Sequence, residues 1–222
     1  MSPTVVVHHL ETSRSTRILW ALEELGVQYE IKTYTRHPKT FRAGPEIKAV
    51  HPVGRFPVLS IDDVVLAESG AILEHLAELH GRLAPTADAD RLQYRYWMHF
   101  AEGSLMPPLL VAVITGRLRT AVPFPVNVVS GAIGKTIDKQ YTWPQLADLL
   151  TAVDAHLTTH PYFAGSAFTM ADIQMSYPCL AALNRIPPSR GSYDALRAWA
   201  TTVQDRSAFS RAVELGGPLF PG

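Results

Sequence analysis

Residues 51–72 read HPVGRFPVLSIDDVVLAESGAI, and this stretch decides the fold that the sequence predicts. A loop rich in proline and glycine leads into two short runs of strand-forming residues, 57–61 and 64–67. Two aspartates separate these runs, so we expect a compact hairpin. Ser69 then opens a segment whose apolar residues follow helical spacing. The stretch therefore predicts a β-β-α unit.

The residues before this unit predict a matching β-α-β unit. Residues 5–7 are three valines, which are typical of a buried strand. Residues 15–25 carry apolar side chains at helical spacing, and Gly26 supplies the end of that helix. Residues 29–31 predict a second strand. The two units together predict a small α/β layer, in which helices pack on a mixed sheet.

Strand signals mostly vanish after a punctuated linker at residues 80–85, HGRLAP. We therefore expect one α/β domain over residues 1–82 and one all-helical domain over residues 88–222. The proline pair at 107–108 should kink or break the first long helix, and residues 119–140 give no clear pattern. The predicted helices of this part span about 89–118, 143–157, 171–183, 193–202 and 207–215.

Composition excludes several classes of function. The chain has 222 residues, with 20 Lys+Arg balanced by 20 Asp+Glu, and this zero net charge argues against a nucleic-acid partner. No run approaches 18 consecutive apolar residues, so we expect no membrane span. The first residues lack the features of a secretory signal, so we expect a cytoplasmic protein. The single cysteine, Cys179, excludes an intramolecular disulfide and is expected to be buried and unreactive.

The turn between the first strand and the first helix carries two serines, Ser13 and Ser15. Either serine could simply cap the helix, since hydroxyl side chains are preferred at that position. Alternatively, a hydroxyl there could donate to an anion, with support from the helix dipole. The neighbouring His8 and His9 should point to opposite faces of their strand, which makes them poor metal co-ligands. We expect no metal site.

Three further sites leave a similar choice between structure and function. Glu68 and Ser69 stand at a strand-to-helix junction, where they could cap the helix or bind a ligand's carboxylate and ammonium groups. The Phe56–Pro57 bond could be an ordinary trans bond at a strand start, or a cis bond that presents the backbone to a ligand. Thr169 and Asp172 have the spacing of a capping box, and here we expect a structural role.

Five segments in this order resemble the glutathione transferases, in particular their soluble bacterial and fungal type with a serine at the active site. The resemblance covers nearly the whole chain. Any one segment is only moderately specific, whereas all five together are highly specific for the family. The segments are SRSTRILWALEELG at 13–26, HPVGRFPVL at 51–59, LAESGAI at 66–72, YWMHFAEGSLMP at 96–107, and YFAG at 162–165 followed by TMADI at 169–173.

The resemblance implies a thioredoxin-like, glutathione-binding domain at the N-terminus, an all-helical C-terminal domain and a homodimer. It implies that glutathione is the co-substrate and lies along the first domain. Glu68 and Ser69 match the positions that hold the γ-glutamyl end, and the Phe56–Pro57 pair matches the position whose backbone meets the cysteinyl part. Arg55 and His51 match the region where the glycyl carboxylate is often bound.

The resemblance also implies catalytic roles. Ser13 matches the hydroxyl of the serine-type classes, and Ser15 is a second candidate. Glu102 lies on the helix that often reaches toward the partner subunit's glutathione. The turn after the first strand has no tyrosine, which excludes a tyrosine-type mechanism. Arg14 stands beside Ser13 where other classes have their cysteine, so mixed-disulfide chemistry through the protein is not expected.

The expected chemistry is nucleophilic attack by the glutathione thiolate on a small apolar electrophile. A hydroxyl donor and a helix N-terminus would together favour the thiolate over the thiol. We place the electrophile between the domains, against Leu105, Met106 and Phe124. Two alternatives remain open. One is a glutathione-dependent peroxidase or disulfide reductase, and the other is a non-catalytic binding module on the same scaffold.

Overall fold

The structure is a computed structural model that describes residues 3–37, 43–118, 120–186 and 191–219. Its first part alternates strands and helices as the sequence predicts. The strands are Val5–Leu10 (β1), Glu30–Tyr34 (β2), Val58–Ile61 (β3) and Val64–Ala67 (β4), and the helices are Thr16–Leu25 (α1), Ile47–Val50 (α2) and Ser69–His80 (α3).

The four strands form one mixed sheet in the order β2-β1-β3-β4. β1 runs parallel to β2 and antiparallel to β3, so that Val7 pairs with both Ile31 and Leu59. Val7 and Leu59 are fully buried. The predicted mixed sheet is confirmed, although β1 and β2 each extend three residues beyond their predicted ends.

The second part contains only helices among its described residues. They pack beside α1 and α3, mainly through the eighth and tenth α-helices of the chain. The predicted architecture, a thioredoxin-like layer followed by an all-helical part, is therefore confirmed. The helices are Asp88–Phe100 (α4), Met106–Leu118 (α5), Val126–Ile137 (α6), Trp143–Leu157 (α7), Met170–Arg185 (α8), Asp194–Gln204 (α9) and Ser207–Gly216 (α10).

The sequence predicts that the proline pair at 107–108 kinks or breaks its helix, but the helical stretch continues through both prolines without a break. A wide π turn, Ala101–Leu105, lies immediately before the prolines and joins α4 to α5. At the end of that turn the Met106 N–H bonds to the Ala101 carbonyl, five residues back. This wider spacing accommodates residues that have no N–H of their own for the helical ladder.

Helix α6 lies in the region that gave no clear pattern. One of its glycines, Gly134, is where α6 approaches α5. A Cβ at Gly134 would lie 2.9 Å from the Thr115 backbone oxygen, which is too close for any other residue. The glycine therefore permits helix–helix contact rather than ending a helix.

The continuous helical stretch Asp88–Leu118 is long and apolar enough to cross a membrane by length and composition. Its most apolar 18-residue window has a mean hydropathy of 1.3, and 39% of that window is buried. In the fold, α4 and α5 contact α6, α7 and α8. The expectation that the protein has no membrane partner stays a prediction.

Three residues with a predicted structural role lie in or beside α8. Thr169 and Asp172 form the expected capping box at the start of the helix. The Cys179 thiol is completely buried, and burial raises its pKa above the ordinary value. A thiol that stays protonated in an apolar setting is a poor nucleophile, so the prediction of an unreactive cysteine stands.

Candidate functional site

The turn that follows β1 packs its two serine hydroxyls against each other. The Ser13 Oγ and Ser15 Oγ atoms are 2.7 Å apart, and the Ser15 N–H donates to Ser13 Oγ at 3.2 Å. Ser15 occupies the N-cap position of α1 but makes no side-chain cap hydrogen bond. Its hydroxyl therefore does not cap the helix, and the first N–H groups of α1 have no side-chain acceptor from that residue.

The inner end of this hydroxyl pair reaches the side chain of His9. The Ser15 Oγ lies 2.9 Å from His9 Nδ1, and His9 Nε2 lies 2.8 Å from the Gly216 carbonyl oxygen at the end of α10. His9 is 1% exposed, and burial lowers the pKa of its imidazole. A line of hydrogen bonds thus runs from Ser13 into the protein interior.

His8 and His9 point in different directions, as adjacent residues of a strand should. His8 bonds to the Tyr34 hydroxyl at 2.8 Å and to Ser60 Oγ at 3.0 Å. Within the described parts of the chain, no group of three or more His, Cys, Asp or Glu side chains could hold a metal ion.

A buried arginine connects the two halves of the molecule at this site. Arg17, on α1, is 1% exposed, and its Nη1 donates to three acceptors on other elements. These are Ser69 Oγ at 3.1 Å, Glu102 Oε1 at 2.9 Å and Gln174 Oε1 at 2.7 Å. Burial lowers the pKa of Arg17, and Glu102 opposes that shift. An arginine with these acceptors stays charged.

Glu102 contacts the serine turn in addition to Arg17. Its second carboxylate oxygen pairs with Arg14 Nη2 at 3.2 Å. Arg14 follows Ser13 in the chain, so Ser13 and Ser69 belong to one connected polar network. Glu102 is one-third exposed. Its contacts here lie within its own chain, and its expected reach toward a partner subunit stays a prediction.

The N-terminus of α3 is also left without a side-chain cap. Glu68 occupies its N-cap position with a φ of 72° and makes no side-chain cap bond. A positive φ at a residue other than glycine is uncommon and often marks a functional position. The Ser69 hydroxyl bonds to Arg17 rather than to its own helix. The capping interpretation of this pair is therefore wrong.

The residues expected along the rest of the ligand lie near β3. The Phe56–Pro57 peptide bond is cis. Phe56 is half-buried against Tyr34, with ring centroids 5.1 Å apart, and Pro57 is buried. Arg55 is exposed and His51 is half-buried. Among the residues that the structure describes, neither of these two bonds to the network around Arg17.

The expected electrophile pocket needs a correction. Leu105 is completely buried in the core, so it offers no surface to a second substrate. Met106 is half-buried, whereas Phe124 is 79% exposed. Of the three predicted residues, only the last two present any side-chain surface.

Sequence reasoning missed Arg17, His9 and Gln174 as parts of the site. Arg17 had a partial signal, because it is the charged residue that directly precedes the apolar run 18–22 of its helix. A cation in such a place is seldom buried without partners. Gln174 had none, since its partner lies 157 residues away in the sequence. For His9, the Gly216 partner lies 207 residues away and only the Ser15 partner, six residues away, is local.

Comparison with known proteins identifies the class. Residues 2–78 match the glutathione S-transferase N-terminal domain, and residues 124–206 match the glutathione S-transferase C-terminal domain. The chain therefore belongs to the glutathione S-transferase family. It is an enzyme of that family, as its curated relatives indicate.

Two fungal relatives align with almost the whole chain. Glutathione S-transferase 3 of Schizosaccharomyces pombe is 38% identical over 213 residues, which cover 95% of this chain and 87% of that protein. Glutathione S-transferase 1 of Saccharomyces cerevisiae is 31% identical over 223 residues, which cover 96% of this chain and 95% of that protein.

Solved structures share the fold. A glutathione S-transferase from Actinobacillus pleuropneumoniae superposes with a TM-score of 0.79 and 29% identity, over 97% of this chain and 94% of that chain. A theta class glutathione S-transferase from Xanthomonas axonopodis pv. citri, with glutathione bound, gives a TM-score of 0.76 and 25% identity. That superposition covers 98% of this chain and 99% of the other.

Proposed function

We propose that this enzyme binds glutathione at the N-terminal ends of α1 and α3 and joins the thiolate sulfur of glutathione to small apolar electrophiles. The observation that carries the proposal is the pair of helix N-termini that lack side-chain caps, joined through Arg17. Ser13 stands at one of them and Ser69 at the other. Such N-termini attract anionic groups, and glutathione supplies carboxylates and a thiolate.

In this proposal the γ-glutamyl end lies at Glu68 and Ser69. The exposed Glu68 carboxylate can accept from the ammonium group, and the α3 N–H groups can donate to the carboxylate. The Phe56 backbone meets the cysteinyl part, while Arg55 and His51 meet the glycyl carboxylate. The structural neighbour with bound glutathione supports the choice of ligand.

Ser13 is the proposed catalytic hydroxyl, and Ser15 supports it from behind. Ser13 retains slight exposure, whereas Ser15 is completely buried and already bonded on its inner side. Only Ser13 can therefore reach a sulfur from outside. Its O–H would donate to the sulfur and stabilise the thiolate, which is the attacking form. Cys179 is buried in the core, which favours this hydroxyl chemistry over chemistry through a protein thiol.

The test compares Ser13→Ala with Ser60→Ala, a matched serine outside the network. Turnover is measured with glutathione and 1-chloro-2,4-dinitrobenzene, and separately with glutathione and a peroxide. Loss of a hydrogen bond to a charged atom should lower kcat/KM for conjugation by about 10- to 100-fold in Ser13→Ala only. Full turnover in that variant would exclude the role of Ser13. In the unaltered protein, peroxide turnover without conjugation would favour the reductase alternative. Absence of both activities and of glutathione binding in the unaltered protein would favour the non-catalytic alternative.

A homodimer in the cytoplasm completes the proposal. One buried free cysteine is typical of a reducing compartment. An exposed apolar surface on α5 and α6 supports an interface between subunits, because such surfaces commonly mark interaction sites. Sedimentation should then give twice the chain mass of 24.4 kDa. This surface comprises Leu110, Ile114, Val126, Val128, Val129 and Ile133.

A further inference from the structure

The hydrogen-bond line behind Ser13 ends on a group that can hold a proton. It passes from Ser13 Oγ to Ser15 Oγ over 2.7 Å, and from there to His9 Nδ1 over 2.9 Å. On the far side of the ring, His9 Nε2 meets the Gly216 carbonyl at 2.8 Å. Each of these separations is a good hydrogen-bond distance.

The carbonyl at the end of this line fixes which nitrogen of the His9 ring carries the hydrogen. The Gly216 oxygen can only accept, so His9 Nε2 carries the ring hydrogen. In the neutral ring, Nδ1 is then an acceptor. The Ser15 hydroxyl lies within donating distance of Nδ1 at 2.9 Å and of the Leu10 carbonyl at 3.1 Å. In the orientation that forms the relay, it donates to Nδ1 and accepts from the Ser13 hydroxyl, so that both serines point their hydrogens inward, toward an unprotonated nitrogen.

We propose that His9 takes up the proton of the glutathione thiol through Ser15 and Ser13. This inference rests on the proposed glutathione site. As the S–H bond breaks, its proton passes to Ser13 Oγ. The Ser13 proton passes to Ser15 Oγ, and the Ser15 proton passes to His9 Nδ1. The products are a thiolate and an imidazolium, both serines remain neutral hydroxyls, and no proton is released to solvent.

The surroundings of His9 decide whether it can hold that proton. Burial disfavours the imidazolium and lowers the pKa of the ring, while Glu11 on the loop after β1 and the Gly216 carbonyl oppose this shift. α1 presents the Ser15 hydroxyl, and α10 presents the carbonyl of its last residue, where the helix dipole favours a cation. The thiolate adds a nearby negative charge as soon as it forms.

His9 is thus a positioning residue that acts through the two serines. The first experiment uses the unaltered protein near neutral pH. Ultraviolet absorbance counts the thiolates formed when glutathione binds, and an indicator dye counts the protons released. The proposal expects thiolate with almost no proton release. Release of about one proton for each thiolate would overturn it.

S-methylglutathione separates this proposal from the one on which it rests, because its sulfur has no proton. If the protein binds neither this compound nor glutathione, the glutathione site itself is wrong and the relay falls with it. If both bind but each thiolate releases a proton, the site stands and the relay is wrong.

The second experiment compares His9→Gln with His8→Gln. A glutamine at 9 can still donate to the Gly216 carbonyl but cannot take up a proton. We expect about one proton released per thiolate, a bound-thiol pKa raised by about one unit and a shifted acid limb of kcat/KM, with S-methylglutathione affinity unchanged. His8→Gln should behave as the unaltered protein. Unchanged proton release in His9→Gln would overturn the proposal.

A third measurement needs no variant, in case His9→Gln does not fold. Ring ¹⁵N spectra follow the protonation of the nine histidines directly. One ring should become an imidazolium when glutathione binds and stay neutral when S-methylglutathione binds. Spectra in which no ring changes on glutathione binding would contradict the relay.

Discussion

Helices α1 and α8 both begin at a hydroxyl residue that the sequence marks as a cap, yet they use it in opposite ways. At α8, the Thr169 Oγ1 accepts from the Ala171 N–H of its own helix, and the Asp172 carboxylate accepts from the Thr169 N–H. At α1, the Ser15 hydroxyl turns away from its helix and bonds to His9 and to the Leu10 backbone.

The difference separates a structural helix start from a functional one. A hydroxyl that bonds to its own helix satisfies the N–H groups there and leaves little to offer a ligand. A hydroxyl that bonds elsewhere leaves those groups without a side-chain acceptor, although at α1 the Thr16, Arg17 and Ile18 N–H groups donate to the backbone carbonyls of Ser13, Arg14 and Ser15. α3 belongs with α1, because Ser69 bonds to Arg17 rather than to its own first turn. The two uncapped helices border the proposed site, whereas α8 begins in the core.

The largest effect is expected from Asp172→Ala. The Asp172 carboxylate accepts four hydrogen bonds, from the Phe163 and Thr169 N–H groups, the Thr169 hydroxyl and the Trp199 indole. Removing it leaves buried donors unpaired, which should lower the free energy of unfolding by about 4 kcal/mol or more. Urea unfolding measures this. A loss below about 1 kcal/mol would contradict the structural role of this capping box.

The next effect is a pH dependence from the same carboxyl. Burial raises the pKa of Asp172 from 3.8 to about 6, despite its hydrogen bonds. The folded state therefore binds the proton more tightly than the unfolded state, and this group's contribution to stability falls as pH rises from about 4 to 6. The loss should approach about 3 kcal/mol.

Asp172→Asn provides the reference for that measurement, because an amide does not titrate. The free energy of unfolding of the unaltered protein, minus that of this variant, should decrease between about pH 4 and 6. A difference that stays flat or increases over that interval would show that the folded-state pKa is not raised.

A smaller effect should follow from Arg17→Lys. A lysine keeps the charge, but its ammonium is a strongly hydrated point charge on a shorter, flexible side chain, which does not place a nitrogen where Arg17 Nη1 meets Ser69, Glu102 and Gln174. Glutathione should then bind about tenfold more weakly, a loss of about 1.4 kcal/mol measurable by calorimetry.

Arg206→Lys is the matched control. Arg206 bonds to Glu24 at 2.6 and 2.7 Å, outside the proposed site. This variant should keep the original affinity for glutathione. Equal weakening in both variants would mean that Arg17 acts through general stability rather than by holding Ser69.

The smallest effect tests the comparison most directly. Thr169→Ala removes only the cap of α8, so stability should fall by about 1 kcal/mol while glutathione affinity and turnover stay unchanged. Ser13→Ala should do the reverse, with little change in thermal unfolding and a large loss of turnover. Loss of turnover in Thr169→Ala would remove the distinction between the two helix starts.

Local patterns predicted most of the fold. The β-branched run in β1, the short runs of strand-forming residues in β3 and β4 and the helical spacing in α7 all act within a few residues. The sequence did not predict helix α6, because Gly134 disfavours a helix by its propensity, whereas in space it permits close contact with α5. Only the position of Thr115 on α5 reveals the second role, and the local sequence does not contain that position.

For the candidate site, the sequence predicted where the hydroxyl side chains stand but not what they contact. Ser13 and Ser69 stand at helix starts, which the sequence marks plainly. Their alternatives could not be separated there, because capping and ligand binding use the same residue types. The choice depends on what the hydroxyl meets across the fold. His9 and Arg17 supply that answer: His9 bonds to the nearby Ser15 and to the distant Gly216, and the three acceptors of Arg17 are all distant in the chain.

The hydrogen bonds of Arg17 make the first half of this protein depend on residues of the helical half. Two of its three acceptors, Glu102 and Gln174, belong to the helical half, and the guanidinium is buried between them and Ser69. An isolated first half would carry a desolvated cation without most of its acceptors, which is costly. A chimera that joins this first half to the second half of a relative must therefore carry compatible acceptors at 102 and 174. Such a chimera is constrained by the contacts of Arg17 with Glu102 and Gln174 as much as by the linker between the halves.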